Sequence, residues 1–187
     1  MFEKNFDYKK YFKSYYKLLI DDNFFKDLKF LNKTLRKVKK DKANIYIFGN
    51  GGSSAIASHF SVDIRTVLGI NCINLADPSL ITCLSNDYGY DNILTTYLKA
   101  SNINKSNDIL ILISSSAKSK NMINTIKNYR NKFKMIVTLT GNKKENYLKK
   151  NSDINFHVNS RIYNKIENIH QIILLTLIDS MKVNKIK

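Results

Sequence analysis

The sequence predicts an α/β fold built on a parallel β-sheet. Short continuous runs of Ile, Val and Leu alternate along the chain with segments of helical periodicity. Such uninterrupted apolar runs are typical of strands that are buried on both faces, as in sheets whose parallel strands are joined by crossover helices. The chain has 187 residues, of which 43% are hydrophobic and 25% charged. This size and composition indicate a soluble globular domain and argue against general disorder.

The order of elements follows from the positions of these segments. We expect strands at 44–48, 72–75, 109–113, 135–139 and 154–158. We expect helices at 54–68, 79–85, 91–100, 119–131 and 162–182, with a frayed basic tail at 182–187.

The first 40 residues predict two further helices, interrupted at 21–23. Apolar residues recur in both at helical spacing: Phe6, Tyr11, Phe12, Tyr15, Leu18 and Leu19, then Phe24, Leu28, Leu31 and Leu35. Asp21, Asp22 and Asn23 interrupt the pattern and are suited to capping the second helix. We therefore divide the chain into an N-terminal helical arm, 1–40, and a body, 41–187, that form one compact unit. The arm is expected to pack against the body or against another subunit.

Net charge, cysteine count and hydropathy limit the class of protein to which this chain can belong. The net charge of +16 permits nucleic acid, anionic membranes or phosphorylated small molecules as partners. A coding bias toward lysine is the favoured explanation for most of this charge. No interleaved aromatic and basic motif supports nucleic-acid binding. Cys72 and Cys83 are too few for a disulfide framework and fit no zinc motif. Without a signal peptide or a run of about 18 apolar residues, the chain is expected to be cytoplasmic and to have no membrane partner.

The first candidate ligand loop follows the strand at 44–48. Ligands of parallel sheets bind beyond the carboxyl ends of the strands, and here Gly49-Asn50-Gly51-Gly52-Ser53-Ser54 joins a strand to a helix. Glycines allow a close backbone approach, and the N–H groups at a helix start favour an anion. The spacing matches neither the dinucleotide fingerprint nor the P-loop. A tight turn without a ligand is the alternative interpretation.

The second candidate loop follows the strand at 109–113. It contains four hydroxyls, from Ser114, Ser115, Ser116 and Ser119, together with the Lys118 ammonium. These groups and the amides of the next helix are donors that suit a phosphate. The alternative is a serine-rich loop in which only Ser116 or Ser119 caps a helix.

Together with other short motifs, these loops resemble a known family. The motifs are Gly49-Asn50-Gly51-Gly52-Ser53, His59-Phe60, Ser85-Asn86-Asp87-Tyr88-Gly89-Tyr90, Ile113-Ser114-Ser115-Ser116 and Leu139-Thr140-Gly141. Over about residues 10–182 the chain resembles the sugar isomerase (SIS) domain family, in its phosphoheptose isomerase (sedoheptulose-7-phosphate isomerase) branch.

The resemblance implies a three-layer α/β/α, flavodoxin-like fold with a five-stranded parallel sheet. It also implies a homotetramer in which N- and C-terminal helices form a bundle, with active sites between subunits. The family's serine loop binds the sugar phosphate, which here implicates Ser114, Ser115, Ser116 and Ser119. Matching positions for substrate contacts are Asn50, Gly51, Gly52, Ser53 and Asp87.

The family reaction is aldose–ketose isomerisation, in which a base removes a proton beside a carbonyl and an acid returns one to the neighbouring carbon. In the family, a Glu one helical turn after the first-helix His and a His in the last helix form the acid/base pair. Some members bind zinc through these two, the first-helix His and a last-helix Gln. Here Asp63 stands at the Glu position, Glu167 at the Gln position and Leu175 at the catalytic His position. Ala117 and Lys118 replace the usual Gly-Asn of the serine loop.

These substitutions change which residues are expected to transfer protons. We expect Asp63 or Glu167 to act as the base, with His170, or else His59, as its partner. His59, Asp63, Glu167 and His170 form a candidate zinc-ligand set, and the alternative is that they pair only locally along their helices. His157 is expected to be structural, whereas Arg65 and Arg161 serve either the phosphate or an ion pair.

The expected activity is a phosphosugar aldose–ketose isomerase that acts on a ketose phosphate such as sedoheptulose 7-phosphate and supplies heptose for lipopolysaccharide or capsule. The alternative is a non-catalytic SIS module that binds a phosphosugar or a protein partner, as the replication-initiator-associating relative does. Leu175 favours this alternative, and the retained carboxylates and His59 favour the enzyme.

Overall fold

The computed structural model describes residues 6–20, 22–142 and 144–182. The elements in chain order are α1 (Tyr8–Leu19), α2 (Asp22–Lys40), β1 (Ile45–Gly49), α3 (Gly52–Leu68), β2 (Cys72–Ile73), α4 (Pro78–Tyr88), a 3-10 turn (Tyr90–Asn92), α5 (Ile93–Lys99), β3 (Ile109–Ser114), α6 (Lys120–Tyr129), β4 (Met135–Gly141), α7 (Tyr147–Lys150), β5 (Ile154–Val158) and α8 (Tyr163–Lys182). The expected α/β fold is confirmed.

The five strands form one sheet in the order β2-β1-β3-β4-β5, and every pair is parallel. The chain runs outward in one direction from β1 to β2 and in the other from β3 to β5. Such a reversal opens a crevice at the carboxyl ends of the two strands where it occurs. These strands are β1 and β3, in which Gly49 pairs with Ile113. The glycine loop and the serine loop therefore start side by side.

Alternate residues of the central strands β1, β3 and β4 face two different apolar layers. Ile45 and Ile47 of β1 pack in the cluster formed with α2, α3 and α8. Tyr46 and Phe48 pack in the cluster formed with α5 and α6. Because both faces of the sheet are covered, the central strands are apolar on both sides, and this explains the uninterrupted runs in the sequence.

The two N-terminal helices differ in burial. No residue of α1 is buried, whereas α2 buries Phe24, Leu31, Leu35 and Val38 in the core. The Phe24 ring packs edge-on against Phe156 of β5, with centroids 5.8 Å apart. Thus α2 is part of the body's core, whereas α1 lies on the surface of the body, where Tyr15, Leu18 and Leu19 pack half-buried against that core. The Asn168 side chain of α8 donates to the Tyr15 hydroxyl at 3.0 Å.

Several boundaries differ from those expected. Strand β2 has only two residues, and α4 continues to Tyr88. Helix α4 starts where the Asp77 side chain accepts from the Leu80 N–H and Pro78 takes the first turn, and it ends at Gly89 with φ 77°. Helix α7 was not predicted, because four residues are too few to show a periodicity. Asp21 and the tail at 183–187 lie outside the described residues.

Within the described ranges, each helix is too short or too polar to cross a bilayer.

Candidate active site

The glycine loop makes a tight turn from β1 into α3. A Cβ on Gly49 would lie 2.3 Å from the Ser53 backbone oxygen, so no side chain fits there. Gly51 has φ 54° and precedes the first turn of α3, a conformation that glycine adopts at no steric cost. The turn therefore depends on glycine at both positions. It places the start of α3 at the carboxyl end of β1.

The serine loop gathers hydroxyls at the start of α6. Ser114 Oγ donates to Ser119 Oγ at 3.3 Å, and the Lys118 N–H donates to Ser116 Oγ at 3.2 Å. Ser119 is the N-cap residue of α6, yet its side chain makes no capping bond. Ser115 Oγ is buried and lacks a hydrogen-bond partner in the described part of the chain. Hydroxyls at a helix N-terminus that still have a hydrogen bond to donate are suited to an anionic group.

Ala117 shapes the serine loop through its backbone. Its N–H bonds to the Ser114 carbonyl at 2.9 Å, and its φ is 54°. A left-handed conformation is costly for a residue with a Cβ. Ala117 thus holds a backbone conformation that glycine adopts at no steric cost.

The two loops are joined by side-chain amides. Asn50 and Asn121 exchange hydrogen bonds of 3.0 and 2.9 Å, and Tyr90 donates to Asn50 Oδ1 at 3.0 Å. These three residues, with apolar side chains from β1, α4 and α5, line a cavity of about 140 Å³ beside the glycine loop.

On the opposite side of the glycine loop, α3 and α8 bring together His59, Asp63 and Gln171. His59 Nε2 lies 3.2 Å from Asp63 Oδ2, and His59 Nδ1 lies 3.3 Å from Gln171 Nε2. The carboxylate can only accept, so Nε2 carries the proton and Nδ1 accepts from Gln171. Both ring nitrogens of His59 are thus engaged within the chain.

Gln171 was missed by sequence reasoning. It lies four residues after Glu167 on α8, and residues at that spacing share a helical face. This spacing was the signal in the sequence that could have identified Gln171 instead of His170.

The Glu167 carboxylate lies over the first turn of α3. A Cβ on Gly52 would come within 2.3 Å of Glu167 Oε2. Glu167 therefore lies against the glycine loop, where a negative charge meets the positive end of α3.

His170 does not reach this site. It is fully buried, and its Nε2 bonds to the Thr140 carbonyl of β4 at 3.1 Å. Its Nδ1 is buried without a partner among the described residues. Burial is the main cause that lowers the pKa of His170 to about 4. We correct the expectation that His170 exchanges protons with substrate, because its ring is enclosed by the core.

The candidate zinc set is not assembled either. His59 pairs with Asp63, whereas Glu167 lies over Gly52 and His170 faces β4. Across the described ranges, no three His, Cys, Asp or Glu side chains are close enough to hold a metal. The side chains that one chain supplies here therefore do not fit a zinc ion.

The remaining candidates make their hydrogen bonds to residues outside the two loops. Asp87 is exposed at the end of α4, where it accepts from Asn86 Nδ2 at 2.9 Å and lies 3.6 Å from Cys83 Sγ. His157 Nδ1 contacts Thr140 Oγ1 at 3.2 Å, and burial lowers its pKa. Arg65 donates to the Asn71 side chain and to the Cys72 carbonyl, so it braces β2.

Comparison with known proteins shows the family of this chain. The SIS domain profile matches residues 8–141. A phosphoheptose isomerase from Yersinia enterocolitica is 34% identical over 145 residues, which is 74% of each chain. Another, from Glaesserella parasuis, is 34% identical over 137 residues, or 70% of each chain. A third, from Cytophaga hutchinsonii, is 36% identical over 107 residues, and the chain spans only about half (55%) of its length.

Solved structures show the same fold. A phosphoheptose isomerase from Francisella tularensis superposes with a TM-score of 0.78 at 23% identity, covering 92% of this chain and 95% of that one. The corresponding enzyme from Neisseria gonorrhoeae gives a TM-score of 0.74 at 22% identity, covering 90% and 89%. The chain therefore belongs to the SIS domain family, in its phosphoheptose isomerase branch, as the profile match and the identities to the curated relatives show.

Proposed function

We propose that this protein is a cytoplasmic phosphosugar aldose–ketose isomerase that converts sedoheptulose 7-phosphate to a heptose 7-phosphate for lipopolysaccharide or capsule. The observation that carries the proposal is the junction of two ligand loops at the carboxyl ends of β1 and β3. The hydroxyls of Ser114, Ser115, Ser116 and Ser119 gather beside the α6 N-terminus. A short side-chain bridge from Asn121 then leads to the glycine loop.

In this proposal the serine loop binds the phosphate, and Asn50, Gly51, Gly52, Ser53 and Asp87 contact the sugar. Proton transfer falls to carboxylate and imidazole side chains that are not enclosed by the core. These are Asp63 and Glu167 as candidate bases, with His59 as the proton-carrying partner. His59 replaces His170 in that role because only His59 is exposed, with 47% of its side chain accessible.

Assembly is part of the proposal. Helix α1 leaves Phe12 and Tyr16 exposed by 66% and 69%, and an apolar stripe of this kind favours burial against another subunit. A homotetramer of closed symmetry would place α1 and α8 in a bundle and add side chains to each site from a neighbouring subunit.

A second candidate function is a non-catalytic module that binds a phosphosugar or a protein. Leu175 favours it. This side chain stands at the family's catalytic His position, and with Phe12, Tyr15 and Gln171 it lines a cavity of about 520 Å³. Leucine cannot transfer a proton, so this cavity supplies no acid or base from that position.

One experiment separates the two functions. Purified protein is incubated with a panel of phosphoketoses that includes sedoheptulose 7-phosphate, and aldose formation and binding are measured in parallel. Aldose formation supports the isomerase. Binding without turnover on any member replaces it with the non-catalytic module, and the absence of both contradicts both functions.

A further inference from the structure

Asn121 and Tyr90 together make three hydrogen bonds to the side-chain amide of Asn50. Asn121, the second residue of α6, is buried with 2% of its surface exposed. Its Nδ2 donates to Asn50 Oδ1, and its Oδ1 accepts from Asn50 Nδ2. Tyr90 adds a third bond to Asn50 Oδ1 through its hydroxyl. The glycine loop is thereby bonded both to the helix that follows the serine loop and to the turn after α4.

The direction of each bond is fixed by one backbone group. The Met122 N–H lies 3.0 Å from Asn121 Oδ1 and can only donate, so this atom of Asn121 must be the oxygen. The atom of Asn50 that faces this oxygen must then be the nitrogen. Consequently the other terminal atom of Asn50 is the oxygen, and Tyr90 donates to it.

The Asn50 side chain has one hydrogen-bonding group that these contacts do not use. An amide oxygen has two lone pairs, and here Asn121 and Tyr90 occupy both. The amide nitrogen has two N–H groups, one of which is used by Asn121. Within the described ranges, the second N–H has no protein partner. Asn50 is half-buried and lines the cavity beside the glycine loop, so it can offer a ligand a donor but no acceptor.

We propose that Asn121 and Tyr90 are positioning residues that hold the Asn50 amide so that its one remaining N–H binds a sugar oxygen of the phosphosugar. This inference rests on the proposed function and goes beyond it by assigning roles to two residues outside the expected site. It also gives the site a preference, namely for a ligand with a hydroxyl or carbonyl oxygen at this point. Because Asn121 lies two residues after Ser119 of the serine loop, the same contact fixes the distance between the phosphate and sugar subsites.

The test starts with Tyr90→Phe, which removes one hydroxyl from a ring that is 49% exposed and keeps the ring itself. Losing one hydrogen bond to Asn50 should raise the Kd for sedoheptulose 7-phosphate about 2- to 12-fold, as measured by calorimetry. Tyr163→Phe is the matched control, since Tyr163 is 53% exposed at the start of α8, and its Kd should equal that of the wild type. Asn121→Asp places an acceptor against Asn50 Oδ1 and should raise the Kd at least 10-fold.

The Asn50→Ala background distinguishes positioning from general structural support. If Tyr90 acts through Asn50, the additional change Tyr90→Phe should alter the Kd of Asn50→Ala less than 2-fold. A Tyr90→Phe effect of equal size in both backgrounds overturns the inference, and so does wild-type affinity in Tyr90→Phe or Asn121→Asp. Either result would leave the proposed function intact, because the wild-type protein still binds the sugar. If the wild type binds no phosphosugar, the proposed function fails and this inference fails with it.

Discussion

His59 Nε2 lies 3.2 Å from Asp63 Oδ2, one helical turn further along α3. The pair is partly exposed beside the Gln171 amide, which occupies the other ring nitrogen. A carboxylate that accepts from an imidazole N–H fixes the tautomer and orientation of the ring. This contact makes Asp63 the group whose charge is easiest to remove without changing the shape of the site.

Asp63→Asn is therefore expected to lower kcat about 100-fold or more while leaving phosphosugar affinity nearly unchanged. The amide keeps the size of the side chain but cannot accept a proton from a carbon acid. Turnover and Kd are measured on the same preparation. Glu167→Gln is the parallel variant over the glycine loop. Equal turnover in the wild type and in both variants would remove both carboxylates from the mechanism.

Ser116→Ala tests the phosphate subsite. Ser116 Oγ accepts from the Lys118 N–H, so its own proton is available for a phosphate oxygen. Losing one hydrogen bond to a charged group should weaken phosphosugar binding by about 1–2 kcal/mol, or about 5- to 30-fold in Kd. The control is Ser106→Ala. Ser106 lies in the loop before β3, at the amino end of that strand and so on the side of the sheet away from the phosphate loop, and its loss should leave the Kd unchanged. Unaltered affinity in Ser116→Ala would move the phosphate elsewhere.

Two glycines of the same loop should respond differently to alanine. In Gly49→Ala the new Cβ meets the Ser53 backbone oxygen at 2.3 Å, so α3 must shift. This should destabilise the fold by about 1–3 kcal/mol, the usual cost of overpacking. In Gly52→Ala the Cβ meets the flexible end of Glu167 instead, and the carboxylate can move away at little cost.

Thermal unfolding and turnover together check this pair. Gly49→Ala should show the larger fall in Tm, whereas Gly52→Ala should keep most of its Tm and lose activity if Glu167 acts over the glycine loop. A Gly52→Ala variant with full activity would show that the position of Glu167 over this turn is not needed.

The sequence predicted the sheet well because a strand buried on both faces leaves an unmistakable apolar run, as at 109–113. It also placed both candidate loops directly after β1 and β3, because glycine and serine clusters follow such runs. Contacts between distant residues left no local signal, and the bond between Asn50 and Asn121 joins positions 71 residues apart. For His170 a signal existed but was not used.

That signal is the position of His170 on α8. Ile166, Ile169 and Ile173 recur around it at three- and four-residue spacing, which marks the core-facing side of a helix. The structure buries all three completely or nearly so, together with His170. The periodicity of its neighbours thus assigns His170 to the core, even though an imidazole is also a residue type typical of catalytic sites.

Assembly is tested through α1. At micromolar protein and moderate salt, light scattering should give the mass of a homotetramer, because the aromatic face of α1 is exposed in the single chain. Phe12→Glu should shift the mass toward smaller species by burying a charge in that interface. Lys13→Glu introduces the same side chain one position along α1 and should have a smaller effect. A monomer mass for the wild type would contradict the assembly.

Acid sensitivity follows from the buried imidazole of His170. Burial lowers the pKa of His170 to about 4, whereas the unfolded chain titrates near the ordinary value of 6.5. Between these values the unfolded state binds a proton that the folded state does not, so the free energy of unfolding falls as the pH drops from 6.5 to 4. At about 1.4 kcal/mol per pH unit, the loss across the whole window is about 3 kcal/mol. Burial also lowers the pKa of His157, beside Lys144, Lys149 and Glu145, and this adds a slope of the same sign.

Urea unfolding at several pH values between 4 and 7 measures this slope. His170→Gln keeps a side-chain N–H for the Thr140 carbonyl and removes the titrating group. The variant should therefore be less stable than the wild type at pH 7 but should lose less stability on acidification. His157→Gln, which removes the second contributor, should flatten the curve to a smaller extent, since His157 is less deeply buried. A wild-type curve that is flat from pH 6.5 to 4 would mean that the His170 ring gains access to water in the folded protein, and its exclusion from the proton-transfer chemistry would then lose its physical basis.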